Sequence, residues 1–222
     1  MNKLPSNKQP YRSFDGRGID VAIKRADDLD KLSCEHLSTK INPRVLDLGC
    51  GAGGHSVRMV KVGAAVTAVD SHDFSEEFKV HTQTENISEE QLKFICGDVT
   101  KLAELVPDES FTDAYIQRTL HYLTYEQAKK LLKFLHQITE DRLYISVTGI
   151  KSEVGVDYLG NGVPIKERFF ALNHGRAETF SIYEPVCLYS ESELVTLLED
   201  SGWVIRKCWQ SAFGNIKAIC SH

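Results

Sequence analysis

Residues 44–54 read Arg-Val-Leu-Asp-Leu-Gly-Cys-Gly-Ala-Gly-Gly, a short apolar run that ends in a cluster of glycines. The run Arg44–Leu48 is predicted to be a strand, and residues 56–62 follow with the periodicity of a helix. A strand, a glycine-rich turn and a helix in this order are typical of a site for a nucleoside-containing cofactor. Two glycine patterns overlap in the turn: G-x-G-x-x-G at Gly49, Gly51 and Gly54, and G-x-G-x-G at Gly49, Gly51 and Gly53. The glycines alone therefore leave the cofactor open.

Carboxylates near this turn help to choose the cofactor. Asp47 stands two residues before Gly49, where it would repel a pyrophosphate and attract a cation. Two unit charges about 4 Å apart interact by about 1 kcal/mol in water and about 4 kcal/mol at an effective dielectric of about 20. The sign of this charge favours S-adenosylmethionine, which carries a sulfonium and an ammonium, over NAD. Asp70, after the next predicted strand, suits the ribose hydroxyls of either cofactor, and Asp98, after the third, suits an adenine amino group.

Predicted strands and helices alternate outward from the glycine turn. Helices are expected over residues 19–37, 56–62, 74–85, 100–105, 125–138 and 191–200, and strands over 44–48, 65–69, 93–96, 112–116, 142–147, 204–209 and 216–220. Thr124 with Gln127, and Ser190 with Glu193, have the spacing of capping boxes at the starts of two of these helices. This alternation predicts an α/β protein with a mostly parallel sheet that is covered on both faces.

Four motifs in this order resemble those of the class I S-adenosylmethionine-dependent methyltransferases. They are Val45–Gly53, Ala68–Asp70, Phe94–Val99 and Thr112–Leu123, and the strand pair around Phe213-Gly-Asn resembles the hairpin that ends that fold. The resemblance covers roughly residues 40–149 and 190–222. It implies a Rossmann-like, doubly wound, seven-stranded and mostly parallel sheet with an antiparallel C-terminal strand and helices on both faces. We expect a single domain over residues 1–222.

The resemblance also implies a role for individual residues in binding S-adenosylmethionine. Asp47 would orient the methionine end, the loop glycines would let the backbone approach the cofactor, Asp70 and Ser71 would border the ribose, and Gln117 would lie near the reactive methyl. The cofactor-binding residues predicted on this basis are Asp47, Gly49, Cys50, Gly51, Gly53, Asp70, Ser71, Asp98, Val99 and Gln117. Cys50 is interpreted as a loop residue of the site and not as a nucleophile, because no basic partner is evident.

Two residues after the fourth predicted strand are candidates for catalysis. His121 follows the strand close to the expected position of the methyl group, and could act as a general base if the acceptor must lose a proton. The alternative for His121 is a packing or capping role at the start of a helix. Arg118 could hold an acidic group of the acceptor or form a structural ion pair.

Two segments could cover the acceptor. Residues 150–189 interrupt the alternation for about forty residues, which favours a lid or binding loop, although a small added β-element is the alternative. Four basic residues of this segment could receive a carboxylate or phosphate: Lys166, Arg168, His174 and Arg176. The N-terminal arm and helix, residues 1–40, form a second possible lid, with Tyr11, Arg12, Phe14 and Arg17 in its arm.

Composition bounds the location and the partners. The chain has 222 residues, of which 42% are hydrophobic and 26% charged, and its formal net charge is −5. It carries no long block of Lys or Arg, which argues against a nucleic-acid partner, and no apolar run near the ~20 residues of a membrane helix. The first residues lack the apolar core of a secretory signal. Six scattered cysteines without a C-x-x-C pair predict free thiols in a reducing cytoplasm and no metal site.

The leading functional hypothesis is transfer of a methyl group from S-adenosylmethionine to a small-molecule acceptor. A methyltransferase acting on protein or RNA is the alternative. The amino-methylating nucleic-acid enzymes carry a Pro-Pro-aromatic tetrapeptide where this chain has Gln117-Arg-Thr-Leu120, so that subclass is disfavoured. A non-catalytic S-adenosylmethionine-binding regulatory protein and a nicotinamide oxidoreductase also stay open, as does assembly into a homodimer.

Overall fold

A computed structural model describes residues 16–222, and within them seven strands form one sheet in the order β3-β2-β1-β4-β5-β7-β6. The strands are β1 (Arg44–Leu48), β2 (Ala65–Asp70), β3 (Leu92–Cys96), β4 (Phe111–Gln117), β5 (Thr139–Thr148), β6 (Val204–Gln210) and β7 (Asn215–Ser221). The first five strands pair in parallel, and β7 lies antiparallel between β5 and β6. The predicted Rossmann-like α/β fold is therefore confirmed, including its antiparallel C-terminal strand.

The helices lie on both faces of this sheet. They are α1 (Asp28–Leu37), α2 (Gly54–Lys61), α3 (Ser75–Glu85), α4 (Leu102–Leu105), α5 (Tyr125–Ile138), α6 (His174–Phe180) and α7 (Glu191–Glu199), with short 3-10 turns between some of them. Both predicted capping boxes are present, at the starts of α5 and α7. No helix within residues 16–222 is both long and apolar enough to cross a bilayer.

Two hydrophobic cores cover the two faces of the sheet, so its central strands are buried on both sides. One core lies under α5 and α7 and includes Leu46, Ile116 and Leu132. The other lies under α1, α2 and α3 and includes Val45 and Tyr115. Because β1 to β5 are parallel, their carboxyl ends lie along one edge of the sheet.

The first helix differs from its prediction. Residues 19–37 have helical periodicity, but α1 begins only at Asp28. The Asp27 side chain accepts the N–H of Asp30 while the Asp30 side chain accepts the N–H of Asp27, a capping box that starts the helix there. The preceding residues 16–26 instead form an irregular segment that crosses the glycine loop. We call these residues the strap.

The segment 150–189 forms a small layer of its own beside the sheet. It contains α6, two 3-10 turns and a bridge between Phe170 and Val186. Its apolar side chains form a separate cluster, which consists of Tyr158, Leu172, Ala177, Ile182, Val186 and Leu188. The segment therefore has its own packing, and it also contacts the strap through a bridge between Arg17 and Ile182.

Candidate cofactor and acceptor site

The glycine loop lies at the carboxyl edge of the sheet, directly after β1. Gly49, Gly51 and Gly53 all have positive φ, at 68°, 54° and 80°. A side chain at any of them would be strained, since this left-handed region favours glycine. The N–H groups of Gly49 and Cys50 donate to the carbonyl of Val69, which ties the loop to the end of β2. The sequence thus brings the loop and the second strand together as predicted.

Each of these glycines also faces a neighbour at close range. A Cβ at Gly49 would lie 1.8 Å from Thr119 Oγ1, and one at Gly53 would lie 2.7 Å from the ring of Phe78. A Cβ at Gly51 would lie 2.7 Å from the carboxylate of Asp20 in the strap. The protein itself therefore requires glycine at these positions, independently of any ligand.

Asp70 holds the loop from the end of β2. Its Oδ2 accepts the N–H of Gly51 at 2.9 Å, and its Oδ1 accepts the N–H of His72 at 3.1 Å. Burial raises the pKa of Asp70, while these two backbone hydrogen bonds and the nearby Arg17 oppose that shift. The hydroxyl of the neighbouring Ser71 accepts a hydrogen bond from the Arg17 guanidinium. Asp70 and Ser71 therefore lie side by side next to the glycine loop.

Asp47 is the most perturbed carboxylate of the site. It is 3% exposed, and its Oδ2 accepts the hydroxyl of Ser56 at 2.6 Å. Burial raises the pKa of Asp47 to about 7, and the nearby carboxylates of Asp30, Asp70 and Asp20 add to the shift. Carboxylates that lie close together and away from water disfavour the ionised form of one another, and a nearby cation favours it.

Three other residues predicted to bind the cofactor, Cys50, Asp98 and Val99, have structural roles in the protein. Burial and the charge of Asp47 raise the pKa of Cys50 far above that of a free thiol, which makes it a poor nucleophile. Asp98 is exposed and accepts the N–H of Thr100 at 2.8 Å, so that it caps the 3-10 turn Val99–Lys101. Val99 is buried in the core beneath this turn.

A polar row that the sequence did not predict crosses the carboxyl edge of the sheet. Gln117, Ser146 and Lys217 pair in register on β4, β5 and β7. Asp27 accepts a hydrogen bond from Gln117 Nε2 at 2.7 Å and from Lys217 Nζ at 2.6 Å. Lys217 also donates to Asp28. The start of α1 is thus bound to the strand ends, and Gln117 is held by Asp27 at the edge of the site.

Asp30 extends this network beneath the glycine loop. Its Oδ1 accepts the hydroxyl of Tyr115 and lies 3.6 Å from Nδ1 of His55. Burial lowers the pKa of His55 to about 4, so its ring is neutral at physiological pH. Asp30 and His55 lie outside the four motifs, and Tyr115 lies within one of them, but no local pattern indicates that these residues meet.

The two predicted catalytic residues lie together after β4. Arg118 has φ 53°, a strained value for a residue other than glycine, and its N–H donates to the carbonyl of Ser146 at 2.8 Å. His121 is 2% exposed, its ring centroid lies 4.3 Å from that of Tyr122, and its Nδ1 lies 3.5 Å from Thr148 Oγ1. Burial, with a contribution from Arg118, lowers the pKa of His121 to about 3. His121 is therefore a buried neutral ring.

The strap covers this edge of the sheet. Asp20 Oδ2 accepts the N–H of Ala52 in the glycine loop at 3.0 Å, and Arg17 reaches Ser71. At its other end the strap joins the segment 150–189, where the N–H of Gly18 donates to the carbonyl of Ser181 at 2.7 Å. Asp20 was not predicted, because it lies outside the motifs. The arm residues Tyr11, Arg12 and Phe14 lie outside the described residues.

Arg168, one of the four basic residues of the segment 150–189, does not act as the sequence suggested. Arg168 is 7% exposed and forms two hydrogen bonds with the Glu193 carboxylate, at 2.8 and 2.9 Å. It also donates to the carbonyls of Val163 and Leu188. The idea that Arg168 receives an anionic substrate is therefore wrong, because its hydrogen bonds tie the segment to α7.

One group has the residue types of a metal site. His36, Asp113 and Asp141 lie close together near the amino ends of β4 and β5. The ammonium of Lys40 is 2.5 Å from Asp113 and 2.9 Å from Asp141, so it already supplies the positive charge that these carboxylates need. We interpret the group as an ion-pair cluster.

Comparisons with known proteins agree with this geometry. Residues 45–141 match the model of a family described as a methyltransferase domain. A search of curated proteins found no significant match.

Solved structures with the same fold include several methyltransferases. Magnesium protoporphyrin IX methyltransferase from Synechocystis PCC 6803, crystallised with SAH, has a TM-score of 0.64 at 16% identity, over 87% of this chain and 81% of that chain. The 1,6-didemethyltoxoflavin-N1-methyltransferase from Burkholderia thailandensis has a TM-score of 0.66 at 20% identity, over 91% of this chain and 78% of that chain. An S-adenosylmethionine-dependent methyltransferase from Clostridium acetobutylicum ATCC 824 has a TM-score of 0.64 at 13% identity, over 91% of this chain and 92% of that chain.

Proposed function

We propose that this chain transfers a methyl group from S-adenosylmethionine to a small-molecule acceptor, because residues 45–141 match the model of a family described as a methyltransferase domain. The observation that carries the proposal is the buried, mutually repelling carboxylate cluster around Asp47, beside a glycine loop that Asp70 holds. A ligand with a fixed positive charge relieves this repulsion. A pyrophosphate would increase it, which speaks against a nicotinamide dinucleotide.

The same residues fit the parts of S-adenosylmethionine. Asp47 would attract the ammonium of the methionine end, and the carboxylate of Asp70 would accept hydrogen bonds from the ribose, with Ser71 beside it. Gly49, Cys50, Gly51 and Gly53 would offer backbone to the cofactor. Asp98 and Val99 would border the adenine, and Gln117 would lie near the methyl group. These assignments are supported by the common position of most of these residues at one edge of the sheet.

The reaction needs little covalent chemistry from the protein. When bound, S-adenosylmethionine would supply an electrophilic methyl group to a lone pair of the acceptor, with S-adenosylhomocysteine as the leaving product. The chain would position the reacting groups through Gln117, which Asp27 holds, and would exclude water through the strap above the loop.

Arg118 and His121 would border the acceptor. Arg118 directly follows Gln117 and has φ 53°, and strained backbone of this kind is concentrated at functional sites, which supports a role in holding an anionic group of a ligand. His121 is neutral and could accept a proton, but a pKa of about 3 makes it a weak base. We therefore propose that His121 mainly shapes the acceptor side, and a general-base role stays a prediction.

A small acceptor is favoured over protein or RNA because the edge is covered. The strap and the segment 150–189 are joined by backbone hydrogen bonds above the strand ends, including one from the N–H of Tyr183 to the carbonyl of Gly16 at 2.6 Å. While this cover is in place, it would keep a folded macromolecule away from the strand ends.

The proposal can be tested with radiolabelled cofactor. Purified protein is incubated with methyl-labelled S-adenosylmethionine and a cell extract that has been separated by size into small molecules, protein and RNA. We expect label to enter the small-molecule fraction, and Asp70→Ala to abolish the transfer. Label in the protein or RNA fraction alone would contradict the choice of acceptor, and the absence of transfer to any fraction would favour a non-catalytic protein.

A further inference from the structure

The side chain of Asp20 in the strap accepts a hydrogen bond from a backbone amide of the glycine loop. Asp20 Oδ2 accepts the N–H of Ala52 at 3.0 Å, while Asp20 Oδ1 accepts the N–H of Ala22 at 2.9 Å. Ala52 lies two residues before α2, where free amides and the helix dipole favour an anion. The anion present there is the carboxylate of Asp20.

The strap contacts the predicted ribose side of the site as well. Arg17 donates to the hydroxyl of Ser71, and the guanidinium of Arg58 on α2 donates to the carbonyl of Ala22. A Cβ at Gly54 would lie 2.5 Å from the backbone of Ile23, so the strap lies in direct contact with the start of α2. A ligand of the glycine loop and Ser71 would therefore have to replace contacts that the strap now makes.

The strap is held by these polar contacts and by little apolar packing. None of the residues 16–26 is fully buried, whereas Leu29 at the start of α1 is 0% exposed. Segments with few buried apolar contacts open at low free-energy cost compared with the global unfolding of the protein. The capping box at Asp27 then forms a fixed end about which the strap can move.

We propose that the strap is the gate of the cofactor site and that Asp20 is its latch. The Asp20 carboxylate accepts the hydrogen bond of the Ala52 amide. In the proposed complex, the carboxylate of S-adenosylmethionine would accept this hydrogen bond instead, so the cofactor binds only after Asp20 has left. This inference rests on the proposed function, since it takes S-adenosylmethionine as the ligand. It assigns to Asp20 a role in controlling cofactor entry, distinct from that of Asp47 and Asp70.

Binding of S-adenosylhomocysteine tests the latch without an acceptor. We compare the wild type with Asp20→Ala and Asp20→Asn by calorimetry, and with Asp200→Ala as a control, because Asp200 pairs with Lys129 outside the strap. Asp20→Ala should bind about tenfold more tightly, the order expected when a charge-assisted hydrogen bond need not be broken. Asp20→Asn should fall between the two, since its amide oxygen can still accept but carries no charge.

Binding kinetics supply a second readout. Stopped-flow measurements can follow Trp209, whose indole donates to Asp28 at 2.8 Å next to the strap. In the wild type the observed rate should reach a plateau with ligand concentration, set by strap opening, and both Asp20→Ala and Arg17→Ala should raise that plateau. A rate that stays linear in ligand concentration for all three proteins would overturn the gate.

The outcomes separate the latch from the proposed function. Equal or weaker binding by Asp20→Ala, with binding by the wild type intact, would overturn the latch and leave the proposed function standing. If neither the wild type nor Asp20→Ala binds S-adenosylhomocysteine although both are folded by circular dichroism, the proposed function fails and the latch with it.

Discussion

Replacing Asp47 by asparagine should make the ligand-free protein more stable at neutral and alkaline pH. The Asp47 carboxylate is buried and lies near three other carboxylates, and the burial together with these charges raises its pKa to about 7. An asparagine has nearly the same shape and can still accept the hydroxyl of Ser56, which Asp47 accepts at 2.6 Å. The substitution therefore removes a charge while it keeps the packing.

The size and the sign of the effect follow from proton linkage. The pKa of Asp47 rises from the ordinary value of 3.8 to about 7 on folding, and one pKa unit corresponds to about 1.4 kcal/mol, so the full effect is on the order of 4 kcal/mol. Between those two pKa values the folded state binds more protons than the unfolded state. The free energy of unfolding of the wild type should thus fall as the pH rises from about 4 to about 7. The variant lacks this contribution.

Urea unfolding at several pH values between 4 and 8 measures the effect. The difference in free energy of unfolding, variant minus wild type, should increase with pH and level off above about 7. A constant offset between the two proteins does not affect this test, because only the change of the difference with pH is compared. Asp200→Asn serves as the control, because Asp200 is exposed and its pKa is lowered by Lys129, so no increase of this kind is expected. If the free energies of unfolding of the wild type and Asp47→Asn change with pH in parallel, the assignment of a raised pKa to the buried Asp47 carboxyl group is refuted.

Further predictions concern binding, stability and turnover. The wild-type affinity for S-adenosylhomocysteine should weaken as the pH falls below about 7, since Asp47 must then lose a proton to receive the ammonium; calorimetry at pH 6 and pH 8 that gives equal affinities would contradict this. Asp70→Ala should weaken the same binding at least tenfold, because it removes the acceptor of the Gly51 amide; unchanged affinity would remove Asp70 from the site. Arg168→Met should lower the free energy of unfolding in urea by about 3 kcal/mol, since it leaves the Glu193 carboxylate without its buried partner, and a loss under about 1 kcal/mol would show that the pair is dispensable. For His121→Gln, the pH profile of kcat/KM should keep the wild-type shape between pH 6 and pH 8, because the pKa of His121 is about 3; loss of a profile limb in that range would instead assign proton transfer to His121.

The parts of the fold that depend on short-range signals were predicted correctly. The capping boxes at Thr124–Gln127 and Ser190–Glu193 each need residues only three positions apart, and both are present. The first three strands were predicted because their apolar runs are each followed by glycine or aspartate, at Gly49, Asp70 and Gly97. The antiparallel C-terminal strand was implied by the resemblance and not by the pattern of single residues, and the order of the strands in the sheet was not predicted.

The start of the first helix shows where periodicity misleads. Apolar residues recur at helical spacing from Ile19, yet the helix begins at Asp28. Contacts with distant residues prevail here, since Asp20 binds Ala52 and the carbonyl of Ala22 accepts from Arg58. These partners lie more than thirty residues further along the chain and leave no local signal.

Long-range pairing also explains what was missed in the site. Asp27 contacts Gln117 and Lys217, which are 90 and 190 residues away in sequence. The sheet register brings these strand residues side by side, and no motif contains all three. Arg168 illustrates the opposite error: its charge suggested ligand binding, but the carboxylate of Glu193 on α7 already pairs with that charge.

Calorimetric titration of the wild-type protein with S-adenosylmethionine, S-adenosylhomocysteine and NADH tests the central claim most directly. The carboxylate cluster around Asp47 and the loop held by Asp70 predict micromolar binding of the first two ligands at one site per chain, and no binding of NADH. Binding of NADH, with no binding of the two sulfur-containing ligands, would contradict the account and assign the glycine loop to a dinucleotide.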